Sequence, residues 1–155
     1  MIDGDTFTTK EKQIVRLNGV QAPEKGLCGY NEAKIALSKI IEGKRVYFKV
    51  VYLDKYRRNI ADVYTKDGKL VAENWAKKGT VYVSQKQTYK KELTASGDYA
   101  RQNKLGIFGL PCTQETNLEK PGCLIKGNIN NSNGNKTYFL PACTQYKNSL
   151  FLQDF

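Results

Sequence analysis

The chain has 155 residues, which is enough for one ordinary domain and a small appendage. It carries 25 basic and 15 acidic residues, a formal net charge of +10, and no histidine. The lack of histidine excludes Ser-His-Asp triads, Cys-His pairs and histidine-ligated zinc, so hydrolytic chemistry here must use carboxylates, arginine, lysine, tyrosine or a hard metal ion.

The positive charge is concentrated in the first part of the chain. Residues 1–109 hold 21 basic and 12 acidic residues, whereas residues 110–155 hold 4 and 3. A basic excess of this size favours polyanionic partners, with nucleic acid ahead of an anionic membrane surface, although an ordinary basic protein is also compatible with it. No run of about 18 apolar residues occurs, so no integral membrane segment is predicted.

The N-terminal part of the sequence predicts a hairpin followed by a helix. Two β-rich arms, Thr6–Thr9 and Gln13–Val20, flank a polar TKEK segment. Apolar residues at helical spacing in YNEAKIALSKIIEG predict a helix with Asn31 as its N-cap and Gly43 as its end. The chain opens in what reads as the middle of a first strand, so we expect the natural N-terminus to lie upstream.

The next segments predict two strands and then two helices. The runs KRVYFKVVYLD and NIADVYTKDGKLV are rich in β-branched and aromatic residues, and the second enters an Asp67-Gly68 turn. A short helix in LVAENWAKKG ends at Gly79. A longer one in QTYKKELTASGDYARQNKLG ends at Gly106 and is weakened by Gly97 in its middle. The predicted order is therefore β-β-α-β-β-α-α.

The last third of the chain predicts a linker and a small module. Residues 110–122 contain two prolines and polar residues without periodicity, which is typical of a linker. Residues 123–155 contain the arms LIKGNI and KTYFLPA around Asn133-Gly134, which predict a further hairpin with few core positions. We predict one domain over residues 1–109 and a small C-terminal module, itself truncated, over residues 123–155.

Four cysteines, Cys28, Cys112, Cys123 and Cys143, occur without a CxxC pair. This pattern favours disulfides in an exported protein over zinc. We favour the pairs Cys28–Cys112 and Cys123–Cys143, while the other connectivities and a metal site at the second pair stay open. We expect a secreted or cell-surface bacterial protein whose signal segment is not part of this chain.

Five motifs occur in the order and approximate spacing of the staphylococcal (thermonuclease-like) nuclease family: IDGDTF, VRLNGVQAPE, DKYRRNIADVY, NWAKKGTVYV and YARQNKLGIF. The chain resembles this family over residues 1–108. The resemblance implies an α+β, mainly β fold, an OB-type five-stranded β-barrel with three helices. It also implies cleavage of phosphodiester bonds in DNA or RNA with calcium, and we expect a monomer. Residues 123–155 resemble, more loosely, a small module that follows such domains in some bacterial proteins.

The resemblance also implies roles for individual residues. The implied calcium ligands are Asp5, its neighbour Asp3, Gln21 and Ala22. The implied catalytic residues are Arg16, which grips the phosphate, Glu24, which orders the attacking water, and Arg58, near the leaving oxygen. The implied substrate pocket contains Lys55, Tyr56 and Arg57. These residue types suit the chemistry, because calcium prefers oxygen ligands and a guanidinium binds phosphoryl oxygens bidentately.

Each assignment has a structural alternative. Asp3 and Asp5 are also typical of a turn, Glu24 of a helix cap, and Arg16 of a structural ion pair. Arg57 and Arg58 are also typical of a solvated basic turn, and the spacing to NIADVY favours Arg58 as the one that faces the site.

Two departures from the family pattern bear on activity. Gln21 stands where the family usually has a calcium-binding aspartate, so the site loses one negative charge and calcium binding should weaken. The hairpin between Asp5 and Arg16 is short for the family, which should shift their relative position slightly. Arg57 also stands where the family usually has glycine. The leading hypothesis is a calcium-dependent nuclease, and the alternative is a nucleic-acid-binding module without catalysis. A membrane or cell-wall binder is a third hypothesis, but no amphipathic helix with a wide apolar face supports it.

Overall fold

The computed structural model describes residues 1–84, 91–110, 112–113, 122–129, 134–143 and 146. The chain divides into two compact units, Met1–Gly109 and Leu110–Phe155. The strands of the first unit are β1 (Thr6–Thr8), β2 (Ile14–Leu17), β3 (Val20–Gln21), β4 (Tyr47–Leu53), β5 (Asn59–Tyr64) and β6 (Tyr82–Val83). Its helices are α1 (Tyr30–Ile41), α2 (Val71–Lys77), α3 (Lys91–Gln102) and a 3₁₀ turn, Gly106–Phe108.

The strands of this unit form two sets of ladders. Four of them make a sheet in the order β1-β2-β5-β4, in which β2 and β5 are parallel and the other pairs are antiparallel. Strands β3 and β6 pair only with each other among the described strands. The predicted element order is present, with two two-residue strands, β3 and β6, in addition, because the predicted arm Gln13–Val20 is divided into β2 and β3. The fold is mixed α+β, and the ladders between described strands do not close into a barrel.

The core lies between the sheet and the helices. Val15 and Leu17 on β2 are buried together with Leu37 on α1 and Trp75 on α2. Ala33, Leu37 and Ile41 are the buried residues of α1 and are spaced four apart, so they share one face of the helix. Burial of a leucine side chain of this kind stabilises the fold by about 1.5–3 kcal/mol. None of the described helices has the length and apolar character needed to cross a membrane.

The start of α1 differs from the prediction. Gly29, not Asn31, is the N-cap, and no side chain caps the helix. Gly29 has a φ of 87°, and a Cβ there would lie 2.4 Å from Cγ2 of Ile107. Glycine is therefore required at this position by both backbone and packing. The end agrees with the prediction, because α1 stops at Ile41 and Gly43 follows with a φ of 69°.

The second unit contains an antiparallel pair, β7 (Lys126–Ile129) and β8 (Lys136–Phe139). Both lie within the arms predicted for a hairpin. Asn133 of the predicted turn, and residues 111 and 114–121 of the predicted linker, lie outside the described residues.

The cysteines follow the prediction in part. Cys28 and Cys112 are disulfide-bonded, as the first predicted pair requires. Cys123 and Cys143 are free, so the second predicted pair is wrong in this structure. The β7–β8 ladder stops at Lys126 and Phe139, before either cysteine, and the N–H of Cys143 instead closes a turn with the carbonyl of Leu140 at 2.9 Å.

Candidate active site

A tight turn at the start of the chain presents two carboxylates. The backbone N–H of Asp5 donates to Oδ1 of Asp3 at 2.9 Å, which closes a local turn. The carbonyl of Asp5 accepts from the N–H of Leu17 at 2.8 Å. These two bonds fix the Asp3–Asp5 turn against β2, so the predicted turn and the predicted acidic pair are the same feature.

Gly4 allows this turn to approach the core closely. A Cβ at Gly4 would lie 2.6 Å from Cβ of Ala33 on α1 and 2.7 Å from Cβ of Ala22. Carbon atoms in ordinary contact are about 3.5–4.0 Å apart. Glycine between the two aspartates is therefore what brings Asp5 against Ala22 and α1.

The carboxylate of Asp5 lies at the centre of the site, with 2% exposure. Its Oδ1 accepts from the hydroxyl of Thr6 at 2.7 Å and from Nη1 of Arg16, with which it forms an ion pair. Its Oδ2 accepts from the backbone N–H of Ala22 at 2.8 Å. Burial raises the pKa of Asp5 above its ordinary value, and Arg16 and the N–H of Ala22 oppose that rise. This is a buried anion that requires a positive partner.

The two predicted phosphate arginines lie on and next to two paired strands. Arg16 on β2 faces Ile60 on β5 in the parallel ladder. Arg58 comes directly before β5 and two residues before Ile60. An extended chain at strand spacing would set the Cα atoms of Arg16 and Arg58 roughly 8 Å apart.

Arg58 is held by the turn that precedes β5. Its Nε donates to Oδ2 of Asp54 at 2.8 Å, and its backbone N–H donates to Oδ1 at 2.9 Å. The N–H of Tyr56 also donates to Oδ1 of Asp54. Although desolvation acts the other way, these hydrogen bonds hold the pKa of Asp54 below its ordinary value. Asp54 therefore fixes the inner end of the guanidinium, and the two terminal nitrogens make no hydrogen bond to another described residue.

The predicted substrate-pocket residues surround Tyr56 on the same turn. The ring of Tyr56 is 65% exposed, and Nζ of Lys55 and Cζ of Arg58 lie 4.9 Å and 5.3 Å from its centroid. Arg57 is exposed and has a φ of 60°. Among the described residues its side chain makes no hydrogen bond to Asp54 and no cation–π contact with the ring, and only its backbone N–H donates to the carbonyl of Asp54 at 3.0 Å. The structure thus sets Arg58 apart from Arg57 by its contacts.

Gln21 and Glu24 flank the buried carboxylate along the chain. Gln21 ends β3, where it pairs with Tyr82, and its side chain is exposed. Glu24 is exposed in the turn that its carbonyl closes with the N–H of Leu27 at 2.9 Å. Neither side chain makes a hydrogen bond within the described part of the chain. The structure directly joins Asp3, Asp5, Arg16 and Ala22, and it places Gln21 and Glu24 next to them only by sequence.

Residues 14–109 match the family model described as "Staphylococcal nuclease homologue". The chain belongs to the staphylococcal nuclease family. It is 33% identical to "Staphylococcal-like nuclease CAN1" of Arabidopsis thaliana over 111 residues, which is 72% of this chain and 32% of that protein. It is 33% identical to "Probable staphylococcal-like nuclease CAN1" of Oryza sativa subsp. japonica over 98 residues, 63% of this chain and 29% of that protein.

A bacterial relative is matched over more of its length. An "Uncharacterized endonuclease" of Escherichia coli O157:H7 is 26% identical over 111 residues, 70% of this chain and 72% of that protein. The chain spans only about a third of the length of the two plant nucleases. The comparisons therefore support a nuclease family for this chain.

The donor set of this staphylococcal nuclease family site fits a hard cation. Asp3 and Asp5 carry carboxylate oxygens on one turn, and Gln21 carries an amide oxygen, which are ligand types that calcium accepts. Among the described residues, however, no group of three or more acidic, cysteine or histidine side chains converges. A cation at Asp5 must also compete with Arg16 for Oδ1. The site suits calcium by ligand type but offers it little charge.

Three residues that position this site were not singled out from the sequence. Gly4 permits the close approach, Thr6 donates to Asp5, and Asp54 holds Arg58. The sequence carried a signal for Asp54, because an aspartate that opens a turn four residues before an arginine is a familiar local ion pair. It carried none for the packing around Gly4, which depends on α1.

Proposed function

We propose that this chain is a calcium-dependent nuclease that hydrolyses phosphodiester bonds of DNA or RNA. The observation that carries the proposal is the buried Asp5–Arg16 pair, next to Asp3. The position of Arg58 directly before β5, the strand that pairs with β2, supports it. Membership of the staphylococcal nuclease family and the basic charge of residues 1–109 support it.

In this proposal each site residue has a separate role in phosphodiester hydrolysis. Arg16 and Arg58 hold the phosphoryl oxygens and stabilise the charge that builds up on them. Glu24 accepts a proton from the attacking water, and its exposed position leaves it free to reach that water. Asp5, Asp3, Gln21 and the carbonyl of Ala22 hold calcium. The ion, when bound, neutralises phosphate charge and polarises the bond to be cleaved.

We also propose that the strands close as the OB-type barrel of the family and that the protein is exported. The two edge strands of the four-stranded sheet, β1 and β4, are the ones that closure would join. The disulfide-bonded state of Cys28 and Cys112 supports export, because such bonds persist in oxidising compartments.

A second candidate is a nucleic-acid-binding module without catalysis. The observation that favours it is the neutral Gln21 in a site where no three acidic side chains converge among the described residues. Both candidates predict salt-dependent binding to nucleic acid, so only cleavage separates them.

The test is incubation of single-stranded DNA and RNA with the protein, in calcium or in a chelator. Two variants accompany it: Glu24→Gln, and Glu11→Gln as an exposed matched control. We expect cleavage in calcium by the parent and by Glu11→Gln, and loss of cleavage with retained binding in Glu24→Gln. Binding without cleavage by the parent would favour the second candidate, and absence of binding would contradict both.

A further inference from the structure

A basic cavity lies at the opposite end of β5 from Arg58. Its volume is about 560 Å³, and it is formed by the end of α1, the start of β4 and the turn after β5. The residues that line it are Lys39, Ile40, Lys44, Arg45, Val46, Thr65, Lys66 and Asp67. A volume of this size holds a ligand of about the dimensions of a nucleotide.

The lining presents unbalanced positive charge. Lys39, Lys44, Arg45 and Lys66 are all exposed. Nζ of Lys44 donates to the carbonyl of Lys39 at 2.6 Å, which fixes one cation at the C-terminal end of α1. Lys39, Arg45 and Lys66 form no ion pair within the described residues. The cavity therefore attracts an anion.

The one acid in the lining does not cancel this charge. Asp67 is paired with Nζ of Lys69 at 2.8 Å, and Lys69 is not itself part of the lining. Hydrogen bonds from Lys69 and from the hydroxyl of Thr65 hold the pKa of Asp67 at about 2, so this carboxylate stays ionised and occupied at neutral pH. Four lining cations thus face an acid that already has its own partner.

Strand β4 connects the cavity to the active-site turn. It begins at Tyr47, directly after Val46 of the lining, and ends at Leu53, directly before Asp54. Its seven residues span about 23 Å at the usual rise per residue. Tyr47 and Tyr52 on this strand are 53% and 51% exposed, and Lys49 between them is exposed as well. Val50, Val51 and Leu53 of β4 are also exposed.

Exposed aromatic and basic side chains on one strand are features of a surface that binds single-stranded nucleic acid. Bases stack on the aromatic rings, and cations follow the phosphates. The cavity lining supplies four cations. Between the cavity and Arg58, β4 carries Tyr47, Lys49 and Tyr52, and the turn after it carries the exposed ring of Tyr56. A span of about 23 Å corresponds to at most roughly seven nucleotides, the number reached when the bases keep the stacking distance of a B-form strand.

We propose that the cavity and the exposed residues of β4 form a second binding subsite for a polynucleotide, in which the sugar-phosphate backbone of the strand is held several nucleotides away from the scissile bond. The half-buried Ile40 and Val46 offer an apolar contact for a sugar or base next to the cations. This inference rests on the proposed function. It predicts that affinity grows with strand length until both ends of β4 are occupied.

The experiment measures binding of fluorescently labelled single-stranded DNA in chelator, with strands of about two and about sixteen nucleotides. The shorter strand cannot span β4, and the longer one exceeds the roughly seven nucleotides that could span it. Three proteins are compared: the parent, Lys44→Gln/Lys66→Gln, and the control Lys78→Gln/Lys91→Gln. The control removes the same charge from exposed lysines outside the lining. All four side chains are exposed, so both variants should fold, and thermal melting checks this.

We expect the parent to bind the longer strand about tenfold more tightly, and the cavity variant to lose most of that gain while binding the shorter strand as the parent does. Its salt slope for the longer strand should fall by about 1.4, because two phosphate contacts of a single strand are lost. A second variant, Tyr47→Leu/Tyr52→Leu, should weaken binding of the longer strand only.

Three results would overturn the subsite, and they differ in what they say of the proposed function. A cavity variant that behaves like the control on the longer strand refutes the subsite alone. Length-independent binding by a parent that still cleaves DNA does the same. Failure of the parent to bind either strand refutes the subsite and the proposed function together.

Discussion

Gly4→Ala introduces a methyl group where the structure has no room. The new Cβ would lie 2.6 Å from Cβ of Ala33 and 2.7 Å from Cβ of Ala22, with a backbone carbon of Ala33 at 3.2 Å. Neither neighbour is the end of a flexible side chain that can turn aside. The turn that carries Asp5 must therefore move away from α1 and from Ala22.

The size of the effect follows from these distances. Carbon atoms in contact lie about 3.5–4.0 Å apart, so relief requires a shift of about 1 Å. Overpacking of a tight site costs typically about 1–3 kcal/mol of folding free energy. The same shift stretches the 2.8 Å bond from the N–H of Ala22 to Asp5 and moves the carboxylate from Arg16. A displacement of about 1 Å near the chemistry lowers a catalytic rate by about 100-fold.

The assay is urea unfolding together with the rate of DNA cleavage in calcium. Gly122→Ala is the control, because a Cβ there meets no atom within 4 Å. Gly4→Ala/Ala33→Gly removes the shorter contact, so it should recover part of the cleavage rate despite the roughly 1 kcal/mol cost of glycine in a helix. Gly4→Ala with parental stability and rate would refute the packing argument.

Three further changes have distinct expected results. Asp54→Asn should lower kcat about tenfold with little change in KM. The variant releases the Arg58 guanidinium but keeps an oxygen for the backbone N–H groups of Tyr56 and Arg58. A kcat equal to that of the parent would show that Arg58 does not need the ion pair with Asp54. Gln21→Asp should tighten calcium binding about tenfold in calorimetry, since an anionic oxygen replaces an amide, and no change would mean that Gln21 does not face the ion. Asp67 has its pKa lowered to about 2 by Lys69 and Thr65, so its contribution to stability is present at neutral pH and lost as pH falls from about 4 towards 2. Asp67→Asn should flatten the urea midpoint against pH over that range, and an unchanged slope would contradict the pairing.

Secondary-structure elements whose sequence signals lie within a few neighbouring residues were predicted well. The β1–β2 hairpin, the end of α1 at Gly43 and the hairpin arms of the second unit follow from alternation, periodicity and turn residues. Asn31 was the wrong N-cap because the position of Gly29 is decided by Ile107, which is distant in sequence. Strand β6 has two residues, too few to produce a periodic signal.

In the candidate site, too, the residues could be predicted from the sequence but their spatial arrangement could not. Asp3, Asp5, Arg16 and Arg58 could be proposed from motif order, but their arrangement depends on the parallel pairing of β2 with β5, which no local pattern reveals. Gly97 was expected to weaken α3, yet the helix continues through it, because a Cβ there would lie 2.6 Å from Val83 and glycine is what allows close packing.

Cleavage by Arg58→Lys, compared with Arg57→Lys, tests the central claim most directly. The two residues are neighbours on one turn, but only the side chain of Arg58 is held by Asp54, and Arg58 directly precedes β5, the strand that pairs with β2. Lysine keeps the charge but cannot donate bidentately. We predict that Arg58→Lys loses about 2–4 kcal/mol of transition-state stabilisation in kcat/KM while melting like the parent, and that Arg57→Lys cleaves within about twofold of the parent. Equal rates for the two variants, or a larger loss in Arg57→Lys, would contradict the account.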